Sequence, residues 1–208
     1  SDLAKIVISN TPVSIFQDNG VTGSAGSPMH DISIHGFEFD RSADTKDANV
    51  ARKAVFIQYV QRLYLYNNYA HDSGGTCFGV DFLQGSYIYN NYFKNCGTST
   101  ATTGSSAIGI GTSEYVSEPN FIYGNYSEGA GYAGILLENQ GGHTAGLSNN
   151  MVLYGNTMNS GYQYGFVIDK VSHVVGTGNI ARLNTKDGVI IKNGTGSNPN
   201  NINLGHND

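Results

Sequence analysis

Only 11 of the 208 residues are lysine or arginine, against 16 aspartates and glutamates, and the formal net charge is −5. A nucleic-acid footprint needs clustered positive charge, so that class of partner is excluded. No apolar run reaches the roughly 18 residues that a membrane-spanning helix needs, and no signal peptide is evident. Charged residues make up just 13% of the chain and prolines number four, a balance that opposes disorder. Two cysteines are too few for a disulfide framework. Cys77 and Cys96 are therefore expected as buried thiols, a bridge between turns being the alternative, whose geometry the sequence cannot set. The first strand, KIVIS (5–9), begins almost at once, so the chain reads as mature or as a piece of something longer.

What the chain has instead is repetition. YNNYA (66–70), YNNYF (89–93), YGNYS (123–127), YGNTM (154–158) and TGNIA (177–181) each follow a short apolar strand, and their asparagines are spaced by 23, 34, 31 and 23 residues. A period of 20–50 residues signals a solenoid or another array. A second phrase alternates with the first: FGVDF (78–82), IGIGT (108–112), GILLEN (134–139), GFVIDK (165–170) and GVIIKN (188–193).

With the asparagine as zero, positions −3 (Phe16, Ile34, Leu65, Ile88, Ile122, Leu153, Leu204) and +2 (Phe39, Phe93, Met158) are apolar and read as inward. Seven of eight zero positions are Asn, the exception being Phe37. An Asn repeated at one point of each coil can sit in an αL-tolerant bend and bond its amide to the coils on either side. In the glycine phrase, +1 and +3 share a parity and face in, while +2 and +4 face out. Parallel strands need a crossover, and with no periodic, capped helix to supply one, short turns must do it. The segment 47–61 comes nearest to a helix, but VFIQ (55–58) falls where a coil needs a strand. The expectation is all-β: one domain over 1–208, a solenoid of about eight parallel coils with an asparagine ladder.

Strand, Asn turn, glycine and strand in coils of 22 to 34 residues resemble the right-handed parallel β-helix superfamily: pectate-lyase-like enzymes, alginate lyases and mannuronan epimerases, and phage tailspikes. The likeness covers nearly the whole chain. It implies an extracellular or virion-associated protein that binds, and cleaves, a polysaccharide, with a non-catalytic glycan-binding fibre or adhesin module as the alternative. The epimerases carry a Tyr and an Asp-Pro-His-Glu run where this chain has CFGVDFLQG (77–85), which keeps only Asp81. Tailspikes associate as parallel trimers.

The outward +4 column reads Gln58, Leu83, Ser113, Glu138, Asp169, Lys192. Glu138 and Asp169 on adjacent coils should raise one another's affinity for protons, as general acid–base chemistry requires, and Lys192 follows as a cation. Asp81 and Glu114 extend the acidic strip. Two carboxylates suit glycoside hydrolysis; with a lysine they also suit β-elimination from a uronic acid, whose carboxylate a cation must neutralise. No cofactor is required by this reading and no metal ligand set is assigned, with Ca2+ the cation that would fit. Loops 139–150 and 193–201 are expected to wall a groove, in which Tyr132, Tyr162, Tyr164 and His143 would touch substrate. His71, beside Asp72, reads as a solvated turn residue. The outward Leu136, Val167 and Ile190 form an apolar strip suited to a homotrimer or to cover by a loop. Outward tyrosines (Tyr64, Tyr66, Tyr87, Tyr89, Tyr123, Tyr154) offer faces to sugar rings or stack on one another.

Overall fold

The structure is a computed structural model that describes residues 4–7, 16–17, 27–42, 53–98, 105–112, 118–129, 131–139, 150–192 and 202–205. Among these residues there is no helix, and every strand pairing is parallel. Each coil contributes three strands. A seven-stranded sheet holds those after the ladder Asn, from Ala4–Val7 through Tyr69–His71 to Ile180–Arg182. A thirteen-stranded sheet holds the glycine strands and the tyrosine strands, joined because Val55–Tyr66 runs through both. The strand read at 55–58 is thus the start of the longest one among the described residues.

The motif x in Tyr-x-Asn has a backbone cause. Asn67, Asn90, Gly124, Gly155 and Gly178 take φ of 53°, 53°, 61°, 61° and 62°, the left-handed region that only Asn and Gly enter cheaply. The αL residue is the one before the ladder Asn, not the ladder Asn itself. That turn aims Asn68, Asn91, Asn125, Asn156 and Asn179 inward, where each is no more than 4% exposed. Asn91, Asn125 and Asn156 each donate from Nδ2 to a main-chain carbonyl of the preceding coil (Leu65, Ile88, Ile122) and to the Oδ1 of the next Asn, which also accepts their backbone N–H. Phe37 keeps the slot by its main chain alone, its N–H donating to Asn68 Oδ1 at 3.1 Å. Asn19 and Asn207 lie outside the described residues.

Ile34, Leu65, Ile88, Ile122, Leu153, Phe39, Phe93 and Met158 are buried in one continuous core, as their period requires. Two assignments fail at a corner. Tyr59 and Phe82 adopt φ of 52° and 59° and their rings meet at 4.4 Å. The αL residue flips the alternation, so Leu83 enters the core instead of facing out, while Phe82 packs at the corner. The tyrosine columns stack on themselves: Tyr66, Tyr89, Tyr123 and Tyr154 at 4.6–4.9 Å with nearly parallel rings, and Tyr64, Tyr87 and Phe121 beside them. Mutual stacking consumes the ring faces and leaves edges and hydroxyls toward solvent, so these columns stiffen the sheet.

Cys77 and Cys96 are not free thiols. The turns that carry them lie side by side, with the Gly97 N–H bonded to the carbonyls of Ser73 and Gly75, and the two Cα atoms, 5.5 Å apart, are bridged by a disulfide. The expected burial holds, at 0% exposure for both, but the alternative of a bridge between turns is the one realised, because the pairing of two turns brings the sulfurs together. A bridge 19 residues apart removes loop entropy from the unfolded chain worth about 3 kcal/mol. Reduction, or replacing both cysteines with Ser, should therefore lower the urea midpoint by that free energy; an unchanged midpoint would show that the bridge adds no stability.

Candidate active-site cleft

Strand register assembles the site. Gly111, Glu138, Asp169 and Lys192 are successive Cα partners on neighbouring strands, and Asp81 stands next in the same column, taking the Gly111 N–H on its Oδ1 at 2.8 Å. Aligning the coils by their glycines places Asp81 two positions away. The true pairing sets Gly109 against Leu136, not against Gly134, because packing of side chains, not the glycine, fixes register. An even shift preserves which face each residue is on, so Asp81 remains outward and joins Glu138 and Asp169.

The three carboxylates differ. Asp81 is 2% exposed, and its second oxygen accepts from Gln58 Nε2 at 2.8 Å; it acts as an anchored charge and not as a group open to substrate. Glu138 is half-buried, and burial pushes its carboxyl above the usual carboxylate range, with Asp81 and Asp169 adding to the rise and Lys53 and Lys192 opposing it. Asp169 Oδ1 is buried with no hydrogen-bond partner among the described residues. Lys192 Nζ donates to the Tyr132 hydroxyl and lies 4.8 Å from that ring's centroid. Burial acts to lower the Lys192 ammonium, but the hydrogen bond and the charge of Asp169 outweigh it and the net displacement is upward.

Glu138, Asp169, Lys192, Tyr132 and Tyr164 line one cleft of about 430 Å³, together with Leu136, Gln163 and Lys186. Two cations of this neighbourhood went unread in the sequence. Lys186 Nζ sits 5.5 Å from the Tyr164 ring, and its place two residues before Gly188 was the available signal. Lys53 carried none: it precedes the strand Val55–Tyr66, four strands away from that of Asp169 in the sheet. Its stem crosses the outer face of Gly79, where a Cβ would overlap it, and its ammonium lies 3.8 Å over the Phe56 ring. Burial lowers the Lys53 ammonium, opposed by Asp81 and Glu138.

Several expected members are elsewhere. Tyr162 is fully buried, its hydroxyl 2.5 Å from Ser127 Oγ. It pairs with Gly131, whose missing side chain leaves room for the ring, and follows Gly161 at φ 87°. The apolar strip is covered within the chain: Leu136 and Val167 are 3% and 1% exposed, packed with Ala133, Tyr132, Tyr164 and Ile190, which removes the basis for expecting a trimer through them. His71 is not in a solvated turn but buried on the seven-stranded sheet. His143 and Glu114 lie outside the described residues, as do loops 140–149 and 193–201.

A carboxyl whose folded pKa is raised binds its proton more tightly folded than unfolded. Stability is then lost as pH climbs from the unfolded value, near 4.3, through the folded one, and stays lost above it. Glu138→Gln should thus be more stable than the parent at neutral pH and equal to it below about pH 4, measured as Tm against pH. A lower Tm at neutral pH would contradict the burial argument.

No curated protein and no solved structure matches the chain significantly. The family model for the right-handed β-helix region matches residues 21–207. With parallel coils, an internal asparagine ladder and this match over most of its length, the chain belongs to the right-handed parallel β-helix family.

Proposed function

We propose that the cleft binds an extracellular polysaccharide and cleaves it. The observation that carries this reading is the register of Glu138 and Asp169 on adjacent strands in one cleft, one carboxyl raised above the usual carboxylate range by burial and the other with an oxygen that has no hydrogen-bond partner among the described residues. A glycan oxygen between them would receive the Glu138 proton, while Asp169 attacks the anomeric carbon or positions water. Lys186 and Lys192, each over a tyrosine ring, supply cations for an acidic sugar, which would also serve proton abstraction beside a uronate carboxylate. The internal disulfide supports an oxidising, extracellular or virion-exposed setting.

The second reading, a glycan-binding module without catalysis, draws on Asp81, which a substrate cannot reach, and on Lys192, already engaged by Tyr132. A panel of acidic and neutral bacterial polysaccharides separates the readings. Reducing ends alone indicate hydrolysis; reducing ends with absorbance of an unsaturated uronate indicate elimination; binding with neither supports the module. No binding and no product would remove the cleft as a glycan site.

A further inference from the structure

On the seven-stranded sheet, away from the cleft, two adjacent strands, Phe37–Asp40 and Tyr69–His71, bring together Glu38, Asp40 and His71. One ligand atom from each lies within 4.8 Å of the others. We propose that this group is a divalent-cation site of mixed nitrogen and oxygen donors, in which the ion staples coils that lie close in space but 31 to 33 residues apart in sequence.

His71 points to the ligand. Its side chain is only 10% exposed, and its ring is stacked on Tyr69 at 4.4 Å. Nδ1 lies 2.8 Å from Asp72 Oδ2, and that carboxylate is fixed by Asn95 Nδ2, which donates to its other oxygen at 2.9 Å. Nε2 faces Glu38 Oε1 at 3.1 Å, so each ring nitrogen stands against a carboxylate oxygen. An imidazole with a single proton can satisfy one of these contacts, and the other then requires a further positive charge, a second proton or a metal ion. A carboxylate holding one ring nitrogen while the other meets a metal is the usual outer arrangement of a metal-bound histidine.

Charge agrees. Three carboxylates, Glu38, Asp40 and Asp72, surround the imidazole, at 3.1, 3.8 and 2.8 Å from its ring nitrogens. The cation nearest them is Lys5, whose ammonium is 3.1 Å from Glu38 and 2.6 Å from Asp40. Lys5 is 46% exposed on its stem, so it can swing into water and yield its place to an ion. Lys94, the strand partner of His71, is directed to Glu128 instead, at 3.8 Å. One imidazole with two carboxylates suits a borderline ion such as Zn2+ or Mn2+ better than Ca2+, which prefers an all-oxygen shell.

The test titrates chelator-treated protein with Zn2+, Mn2+ and Ca2+ by calorimetry and follows Tm. One saturable equivalent of Zn2+ or Mn2+ with a rise in Tm is expected. Lys5→Ala should tighten binding, because it removes the competing ammonium. Asp72→Asn should weaken it about 10–100-fold, the effect of losing an outer partner, and the half-exposed Glu38→Gln, whose folding is checked by circular dichroism, should weaken it at least as much. The ¹⁵N resonance of His71 Nε2 should move on binding. If neither the parent nor Lys5→Ala binds, or if binding is indifferent to Glu38→Gln and Asp72→Asn, the charge between Nε2 and Glu38 is a proton and the proposal falls.

Discussion

Glu138→Gln or Asp169→Asn is expected to lower turnover of a cleaved glycan about 10²–10⁴-fold, the range for a lost general acid or base, while binding changes little. Each substitution removes a charge but keeps the shape, and Lys186, Lys192 and the tyrosines that would hold a sugar remain. Rates from reducing-end release and affinities from calorimetry separate the two effects. The parent rate should fall as pH rises through the elevated Glu138 pKa, because the acid must carry its proton, and Glu138→Gln should lose that limb. Neighbouring parallel strands lie about 4.8 Å apart, so carboxyls on adjacent coils approach the separation of about 5–5.5 Å seen in retaining glycosidases. A hydrolytic product should therefore form first with retained configuration, which NMR of the fresh product reads directly. Full activity in both variants would move the chemistry out of this column.

Asn125→Ala should damage the scaffold although it removes no apolar contact of the core. Asn125 Nδ2 donates to Ile88 O at 2.9 Å and Asn156 Oδ1 at 3.0 Å, while its Oδ1 accepts both the N–H and the Nδ2 of Asn91 at 3.1 and 3.0 Å. Truncation leaves the Asn91 N–H buried without its acceptor and takes one donor away from the Ile88 carbonyl, which keeps its place in the strand ladder. An orphaned group costs about 1–3 kcal/mol, and a loss of that size is expected in urea unfolding. Asn125→Asp should not rescue it: a carboxylate keeps the acceptor for Asn91 but has no N–H for Ile88. A loss below 1 kcal/mol would mean that water replaces the amide and that the ladder is decorative.

Much of this was legible without coordinates. An inward residue every second position, an Asn once per coil and an Asn or Gly just before it are local requirements of a strand, a shared hydrogen-bonding slot and a left-handed turn, and each writes itself into the sequence at a fixed offset. The column of Glu138, Asp169 and Lys192 was readable for the same reason, since three consecutive coils keep one register. What depended on contacts between coils was not. Asp81 joined that column only through a two-residue shift in pairing, Cys77 met Cys96 because two turns pack side by side, and Tyr162 turned inward because Gly131 on the adjacent strand left it space. Lys53 crosses the bare face of Gly79 in the next coil toward the carboxylates, and His71 found Glu38 and Asp40 on a strand about thirty residues earlier. The sequence alone determined the repeating unit, because the forces that make a coil act within it; the tertiary structure decided the sites, because they are built from side chains that meet only when one coil settles on the next.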